Sequence, residues 1–276
     1  MAAFLYQSWQ RVVIHHERNI SGVKFGSTLL PQDLQIPTGC AWAVTELFKL
    51  QRFVHGVNYS SPHAITHIVL EVFNDQLVRN LPTPGSFEEQ QQIRVLDIGP
   101  GLAMYHVLMD RLYGQRVTHY LVDRTVNTGS TKTKSLVWRD WHKDGINFYT
   151  SLSCATQINA LNGVDALRIV AIDASQEALL AAVEPETVDI AMSLASCGYH
   201  YTFELYAKAV RTVLKRHGLL LLHVNNHATP DQHAVLADNG FDCLKDDKYS
   251  TRLFGKSGDD VLKCKKKHTK ESSTFG

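Results

Sequence analysis

The sequence predicts an α/β fold with a seven-stranded, mostly parallel sheet and a helical N-terminal cap. From Ile93 onward, short apolar runs alternate with amphipathic helical stretches, which is typical of parallel strands joined by helices. A tight turn, Gly99-Pro100-Gly101, separates the first run from the first helix. Before Ile93 the spacing of apolar residues is helical, with no alternation of period two. These observations place a sheet domain after a helical segment.

Composition excludes several classes of protein. The chain has 276 residues, of which 44% are hydrophobic and 20% are charged, an ordinary globular composition. Its net charge of +1 creates no field that would attract nucleic acid or a membrane surface. No apolar run approaches the length of a membrane span, and the N-terminus lacks the pattern of a signal peptide. We therefore expect a cytoplasmic protein with no membrane or nucleic-acid partner.

The cysteines predict neither a zinc site nor a disulfide framework. There are five of them, they are widely spaced, and no C-x-x-C pair occurs. This pattern fits a reducing compartment. The five positions are Cys40, Cys154, Cys197, Cys243 and Cys264.

Punctuation along the chain predicts four segments. Residues 1–80 form the helical cap, with candidate helices over 3–16, 40–55 and 62–79. Residues 81–92 form a linker, marked by two prolines, a glycine and a glutamine run. The sheet domain then covers 93–267, with a polar stretch of open role over 124–147, and a flexible basic tail covers 268–276.

The predicted elements of the sheet domain follow from the same patterns. The predicted strands are Ile93–Ile98, His119–Val122, Leu167–Ile172, Thr187–Ala195, Gly218–Val224, Phe241–Leu244 and Val261–Lys265. The predicted helices run from the glycine turn to about Tyr113, then over Phe148–Leu161, Ser175–Val183, Thr202–Arg216 and Pro230–Asn239. Ser175 is expected to cap its helix, and Gly240 to end the last one.

The glycine turn and two acids form the most informative motif. Gly99 and Gly101 allow the backbone to turn sharply and to approach a ligand closely. Pro100 stiffens the turn. Asp97 lies in the first strand. Asp123 ends the second strand 22 residues after Gly101, where a carboxylate can accept hydrogen bonds from ribose hydroxyls.

The identity of the ligand depends on charge. A dinucleotide site requires a third glycine for its pyrophosphate, but Met104 stands at that position, and Asp97 would repel a pyrophosphate. A carboxylate at Asp97 suits a ligand with a cationic amino-acid end, such as S-adenosylmethionine. The run D-I-G-P-G-L-A resembles the first motif of the class I S-adenosylmethionine-dependent methyltransferases, which have a Rossmann-like fold.

This resemblance implies a cofactor site at the carboxyl ends of the strands. The methionine end would lie near the glycine turn, the ribose on the acid of the second strand, and the adenine beside the end of the third strand. A closing antiparallel strand is also implied. The predicted cofactor-binding residues are Asp97, Gly99, Pro100, Gly101, Asp123, Asp173, Ala174 and Ser193.

The loop S-C-G-Y-H-Y after the fourth strand carries the candidate catalytic residues. It follows the carboxyl end of its strand, where the reacting groups lie in such sheets. His200 is the first candidate for the general base, because histidine titrates near neutral pH, and Tyr199 lies beside it. His223 on the fifth strand is a second candidate. A loop histidine bonded to the backbone explains His200 equally well.

The same loop suggests the methyl acceptor. It resembles the corresponding loop of sugar O-methyltransferases, with Thr202 where those proteins carry proline. No N-P-P-Y or D-P-P-Y run is present, which argues against a base amino group. A hydroxyl of a sugar or another small molecule is therefore the predicted acceptor.

Several alternatives stay open. They are a methyltransferase acting on RNA through the basic tail and the T-K-T-K loop, or one acting on protein, a methyltransferase-like binding module without turnover, and a nicotinamide-dependent oxidoreductase. No set of metal ligands is defined, so no metal is predicted, and the oligomeric state is open.

Overall fold

A computed structural model describes residues 35–40, 77–123, 152–194, 196, 202–225, 232–244 and 259–267. These residues belong to one compact unit, which spans Gln35–Gly276. The predicted cap helices fall almost entirely outside the described residues, as do the polar stretch over 124–147 and most of the tail.

The described strands form one seven-stranded sheet of order β3-β2-β1-β4-β5-β7-β6. The first five strands are parallel, and β7 runs antiparallel to both β5 and β6. This order, with its reversed β7, is typical of the class I methyltransferase fold and confirms the predicted fold class. The strands are β1 Ile93–Ile98, β2 Val117–Asp123, β3 Ile169–Asp173, β4 Val188–Ser193, β5 Leu214–Asn225, β6 Phe241–Leu244 and β7 Asp259–Lys266.

The helices begin and end near the predicted signals. The Ser175 Oγ accepts the backbone N–H of Ala178 at 3.0 Å and caps α3, as predicted. Gly240 follows α5 with a φ of 78°, which confirms its role in ending that helix. The helices are α1 Met104–Leu112, α2 Leu152–Leu161, α3 Gln176–Ala182, α4 Glu204–Val213 and α5 Gln232–Asp238, with three-residue helical turns at Thr38–Cys40, Val78–Asn80, Pro84–Ser86 and Ala166–Arg168.

The two faces of the sheet bury different sets of side chains, because successive residues of a strand point to opposite faces. On one face, Leu96 and Ile98 of β1 belong to a large apolar cluster with α3 and α4. On the other face, His106 of α1 contacts Asp97 of β1 and His119 of β2. Polar side chains are therefore buried beneath α1, close to the glycine turn.

The boundary between α4 and β5 differs from the prediction. The helix was expected to reach Arg216, but it ends at Val213, and the strand begins at Leu214 instead of Gly218. Leu214 is fully buried and pairs with Val188 of β4, whereas Arg216 is exposed. Burial of Leu214 in the sheet thus overrides the helical spacing of the sequence.

The predicted linker over 81–92 is attached to the sheet domain. The Tyr113 hydroxyl donates to the carbonyl of Pro82 at 2.9 Å. Arg116 Nη1 donates to the carbonyls of Glu88 and Glu89, each at 2.7 Å. The Phe87 ring also stacks edge-on against Tyr113 with centroids 5.5 Å apart. These contacts fix the segment beside the start of β2; a domain boundary there stays a prediction.

The expectation of no disulfides is wrong. Cys40 pairs with Cys154, and Cys243 pairs with Cys264. Cys243 and Cys264 are direct partners in the antiparallel register of β6 and β7, which the spacing in the sequence does not reveal. Two disulfides remove the cysteine argument for a reducing compartment, so the cytoplasmic location stays a prediction.

A helix that crosses a membrane must be both long and strongly apolar. None of the helices in the described part of the chain combines the length and the apolar character that crossing a bilayer requires.

Candidate ligand-binding site at the carboxyl edge of the sheet

Three of the predicted acids lie on one face of the sheet at its carboxyl edge. Asp97 pairs with Leu121 of β2, and Asp123, two residues further along, pairs with Asp173 of β3. Paired residues of parallel strands share a face, and so do residues two apart along a strand. Asp97 and Asp123 are 2% and 5% exposed, while Asp173 is exposed. The solvent exposure of the three carboxylates therefore increases from Asp97 through Asp123 to Asp173.

The turn after β1 has the backbone conformation that its glycines predicted. Gly99 and Gly101 have φ values of 72° and 56°, in the left-handed region where glycine carries no steric cost. The N–H of Gly99 donates to the carbonyl of Val122 at 2.8 Å, so the turn continues the pairing of β1 with β2. Pro100 between the glycines is buried.

Ala103 is also left-handed, with a φ of 52°. This conformation costs a non-glycine residue about 1–2 kcal/mol. The Ala103 carbonyl accepts from Asn159 Nδ2 of α2 at 3.0 Å, a contact that fixes the start of α1. The sequence did not reveal this strained backbone.

Gly99 leaves space for a neighbouring loop of the protein. A Cβ atom built on Gly99 would lie 1.9 Å from Ser196 Oγ. Any side chain at Gly99 would therefore collide with the segment that follows β4. The glycine was predicted to admit a ligand, and the neighbour found there is Ser196.

Ser193, at the end of β4, does not share the face of the three acids. Its predecessor Met192 pairs with Asp97, so Ser193 points to the opposite face. It is fully buried, and its Oγ donates to the carbonyl of Ile98 at 2.7 Å. Ala174, beside Asp173, is half-buried. The cofactor-binding roles of Ser193 and Ala174 stay predictions.

The candidate catalytic residues are placed only in part. His200 and Tyr199 lie outside the described residues. His223 is fully buried in β5, where it pairs with Val261 of β7. The catalytic roles of these three residues stay predictions.

The partners of Asp97 were not foreseen from the sequence. His106 Nε2 donates to Asp97 Oδ2 at 2.9 Å, and both side chains are buried. The second oxygen, Asp97 Oδ1, is also buried and has no hydrogen-bond partner among the described residues. One half of the carboxylate is thus held by the protein, and the other half is not.

Beyond His106, buried polar groups continue to the far end of β2. His106 Nδ1 lies 2.8 Å from His119 Nδ1, and His119 Nε2 lies 3.7 Å from Asp110 Oδ1. Both oxygens of Asp110 accept hydrogen bonds from Arg168, and Arg168 Nη1 also donates to the carbonyl of Val117 at 2.8 Å. This arrangement anchors a charged pair beside two histidines.

The surroundings shift the pKa values of these groups. Burial lowers the pKa of His119 to about 4, so its ring is neutral near pH 7. Burial alone would raise the pKa of the Asp110 carboxyl, but its partners His119 and Arg168 outweigh that effect and leave the pKa below its ordinary value. Asp110 and Arg168 are therefore both charged at neutral pH.

One signal in the sequence could have revealed these groups. His106 and Asp110 are four residues apart in the helix, so they share the face that also buries Val107. His119 likewise interrupts the buried positions of β2, where Val117 and Leu121 point to the same face. Polar residues at positions where periodicity requires burial indicate a network of paired groups.

A metal centre is not evident in the described part of the chain. No group of three histidine, cysteine, aspartate or glutamate side chains is arranged there to hold an ion. His106 instead bonds to the ring of His119 and to the Asp97 carboxylate.

Comparison with known proteins identifies no family. No protein-family model matches the sequence, and no curated protein matches it either. Among solved structures, similar ones include the CurJ carbon methyltransferase, with 12% identity, 82% of this chain and 59% of that chain covered, and a TM-score of 0.45. The chain thus spans less than two thirds of the length of CurJ.

Two further matches have cofactors stated in their names. CrArsM, an arsenic(III) S-adenosylmethionine methyltransferase from Chlamydomonas reinhardtii, is 14% identical, with 74% of each chain covered and a TM-score of 0.42. A SAM-dependent methyltransferase from Aquifex aeolicus is 12% identical, with 71% of this chain and 95% of that chain covered and a TM-score of 0.42. These similarities are remote, so the strand order itself assigns the class I methyltransferase fold.

Proposed function

We propose that this chain is an S-adenosylmethionine-dependent methyltransferase that methylates a hydroxyl of a sugar or another small molecule. The observation that carries the proposal is the set of three acids, Asp97, Asp123 and Asp173, on one face at the carboxyl edge. Ligands of open α/β sheets bind at this edge. The acids suit a ligand that offers a cation and several hydroxyl or amino donors.

The residues present fit this cofactor. Asp97 Oδ1 is a buried acceptor without a partner among the described residues, and an ammonium group would satisfy it. Asp123 would accept from the ribose hydroxyls, and Asp173 from the adenine amino group with Ala174 beside the ring. The turn at Gly99, Pro100 and Gly101 would cover the amino-acid end.

The protein's own share of the reaction is alignment and proton removal. S-adenosylmethionine, when bound, supplies a methyl group activated by a sulfonium. The chain must hold the acceptor hydroxyl in line and take up its proton as charge develops. We assign that proton to a ring nitrogen of His200, with Tyr199 orienting the acceptor and His223 as the second candidate. The hydroxyl acceptor itself rests on the sequence of this loop.

The cofactor is tested by titration calorimetry with S-adenosylhomocysteine. We expect binding by the wild type and a loss of about tenfold or more in Asp123→Ala, because hydrogen bonds to a charged group are removed. Asp242→Ala is the matched control, since Asp242 is an exposed carboxylate on β6, away from the three parallel strands that carry the acids. Tighter binding of NAD than of S-adenosylhomocysteine would instead support an oxidoreductase.

The acceptor is tested by methyl transfer to a panel of sugars and small alcohols. We expect His200→Ala to lower turnover by roughly 10²–10⁴-fold without changing affinity for S-adenosylhomocysteine, as for loss of a general base. Cofactor binding without transfer to any hydroxyl would contradict the proposed acceptor class. Unchanged turnover in His200→Ala would remove the base assignment alone.

A further inference from the structure

A series of neighbouring polar side chains, with one separation of 3.7 Å between His119 and Asp110, leads away from the unpartnered oxygen of Asp97. We call it the polar chain; it consists of Asp97, His106, His119, Asp110 and Arg168. The first two links are hydrogen bonds of 2.9 and 2.8 Å, and the last is a paired contact of carboxylate and guanidinium. Four of the five residues are almost fully buried, so solvent does not compete with these contacts.

The positions of the protons follow from the acceptors. A carboxylate oxygen accepts, so His106 Nε2 donates to Asp97 Oδ2, and Nδ1 of a singly protonated His106 ring is then an acceptor. His119 Nδ1 must then donate to His106, which leaves a lone pair on His119 Nε2. That lone pair faces the Asp110 carboxylate, and two acceptors form no hydrogen bond. Their 3.7 Å separation and the absence of a partner for Nε2 agree with this assignment.

Both ends of the polar chain are fixed to the fold. Arg168 holds Asp110 with two hydrogen bonds and reaches the carbonyl of Val117 at the start of β2. His119 lies in β2 itself, between β1 and β3. His106 lies in the first turn of α1, directly after the glycine turn. The orientation of the His106 ring is therefore determined from both sides.

In this geometry Asp97 Oδ2 accepts a hydrogen bond from His106, whereas Asp97 Oδ1 has no hydrogen-bond partner among the described residues. A buried oxygen without a hydrogen bond destabilises the folded state, so its retention needs a reason. Building on the function proposed above, we propose that His106, held by His119, is a positioning residue that keeps Asp97 Oδ1 directed to the ammonium group of the bound amino-acid arm. His106 itself does not touch the ligand.

A pair of near-isosteric variants separates the two bonds of His106. In His106→Asn, the amide takes the place of Nδ1, which keeps the contact with His119 and removes the donor to Asp97. In His106→Gln, the amide takes the place of Nε2, which keeps the donor to Asp97 and removes the contact with His119. Each variant leaves one buried partner unsatisfied, and His106→Asn should cost more stability because its unsatisfied partner is a carboxylate.

A pair of ligands isolates the amino-acid arm that carries the ammonium group. S-adenosylhomocysteine carries the amino-acid arm, and 5′-methylthioadenosine has the same adenosine and sulfur without it. Calorimetry at neutral pH should show that His106→Asn weakens S-adenosylhomocysteine about tenfold or more, as for a lost hydrogen bond of a charged group, and leaves 5′-methylthioadenosine unchanged. His106→Gln keeps the donor to Asp97 but loses the contact with His119, so it should weaken S-adenosylhomocysteine by about threefold to tenfold, which is less than the loss in His106→Asn. Asp97→Asn should reproduce the selective loss.

Thermal melts followed by circular dichroism will show whether the His106 variants fold. If one of them does not, a pair of His119 variants provides a second test. His119→Asn keeps a donor at the Nδ1 position and should bind as the wild type. His119→Gln loses that donor and should weaken S-adenosylhomocysteine selectively by about threefold to tenfold, because His106 is then held from one side only.

The outcomes distinguish this inference from the proposed function. If the wild type binds neither ligand, the proposed function fails. If the wild type binds S-adenosylhomocysteine but His106→Asn does so equally well, or loses both ligands equally, the positioning role of His106 is wrong and the cofactor assignment stands. The same criterion applies to the His119 pair.

Discussion

His119 should make the stability of this chain fall in mild acid. Its pKa is about 4 in the folded protein, whereas the ordinary pKa of a histidine side chain is 6.5. Above pH 6.5 the ring is neutral in both the folded and the unfolded chain. Between pH 6.5 and 4 the unfolded chain takes up a proton that the folded chain does not, so the free energy of unfolding decreases as the pH falls.

The size of this effect follows from the shift in pKa. The difference between the two pKa values of His119 corresponds to about 3 kcal/mol in the free energy of unfolding. About 2 kcal/mol of this is already lost at pH 5. The groups that face His119 are His106, Asp110 and, through Asp110, Arg168. Burial is the largest cause of the lowered pKa, and it outweighs the opposing attraction of Asp110.

Urea denaturation at pH 5 and pH 7 measures this effect against His119→Asn. The asparagine keeps the donor to His106 but takes up no proton, so the other titrating groups cancel in the comparison. We expect the wild type to lose about 2 kcal/mol more than the variant between the two pH values. Equal losses in both proteins would refute the account of a buried, neutral His119.

Three further predictions concern the glycine turn and the ion pair, each measured as a free energy of unfolding in urea. Gly99→Ala should cost about 3 kcal/mol, because the left-handed backbone and the collision with Ser196 both destabilise the folded state. Ser196→Gly in the same chain should recover part of this loss. If it recovers none, the collision with Ser196 is not the cause. Ala103→Gly should stabilise by about 0.5–1 kcal/mol, since relief of the left-handed strain exceeds the added freedom of the unfolded chain; a loss of stability would disprove the strain. Arg168→Met should cost about 3 kcal/mol by leaving the Asp110 carboxylate buried without its cation, with Arg168→Lys intermediate; a neutral Arg168→Met would show that the pair is not needed.

The sheet and its edge could be predicted because they depend on local patterns. The first strand was predicted at its observed bounds, Ile93–Ile98, since an apolar run and two turn glycines mark both of its ends. The acids Asp123 and Asp173 end their strands in the structure, although their shared face follows only from the register. Register depends on pairing across the sheet, which the sequence of one strand does not contain.

The contacts of the buried acid could not be predicted in the same way. Asp97 was expected to bind a ligand, but one of its two carboxylate oxygens accepts a hydrogen bond from His106 instead. Nothing local links these two residues, because the contact arises from the packing of α1 onto β1. Cys243 and Cys264 were missed for the same reason, since their bond depends on the pairing of β6 with β7.

The loop that follows β4 shows a different limit of prediction from the sequence. His200 and Tyr199 were chosen because they follow the carboxyl end of β4, a topological argument that places a loop but not its side chains. The burial of His223 could be expected from its position in an apolar strand. A general base needs a defined distance to its proton, and sequence patterns do not supply distances.

The central claim is that three acids on one face form the site for an adenosine with a cationic arm. A crystal structure of the chain with S-adenosylhomocysteine tests it most directly. We predict that the ammonium group contacts Asp97 Oδ1, the ribose contacts Asp123, and the adenine lies beside Asp173. A ligand bound elsewhere on the chain, or one whose ammonium group makes no contact with Asp97, would contradict the account.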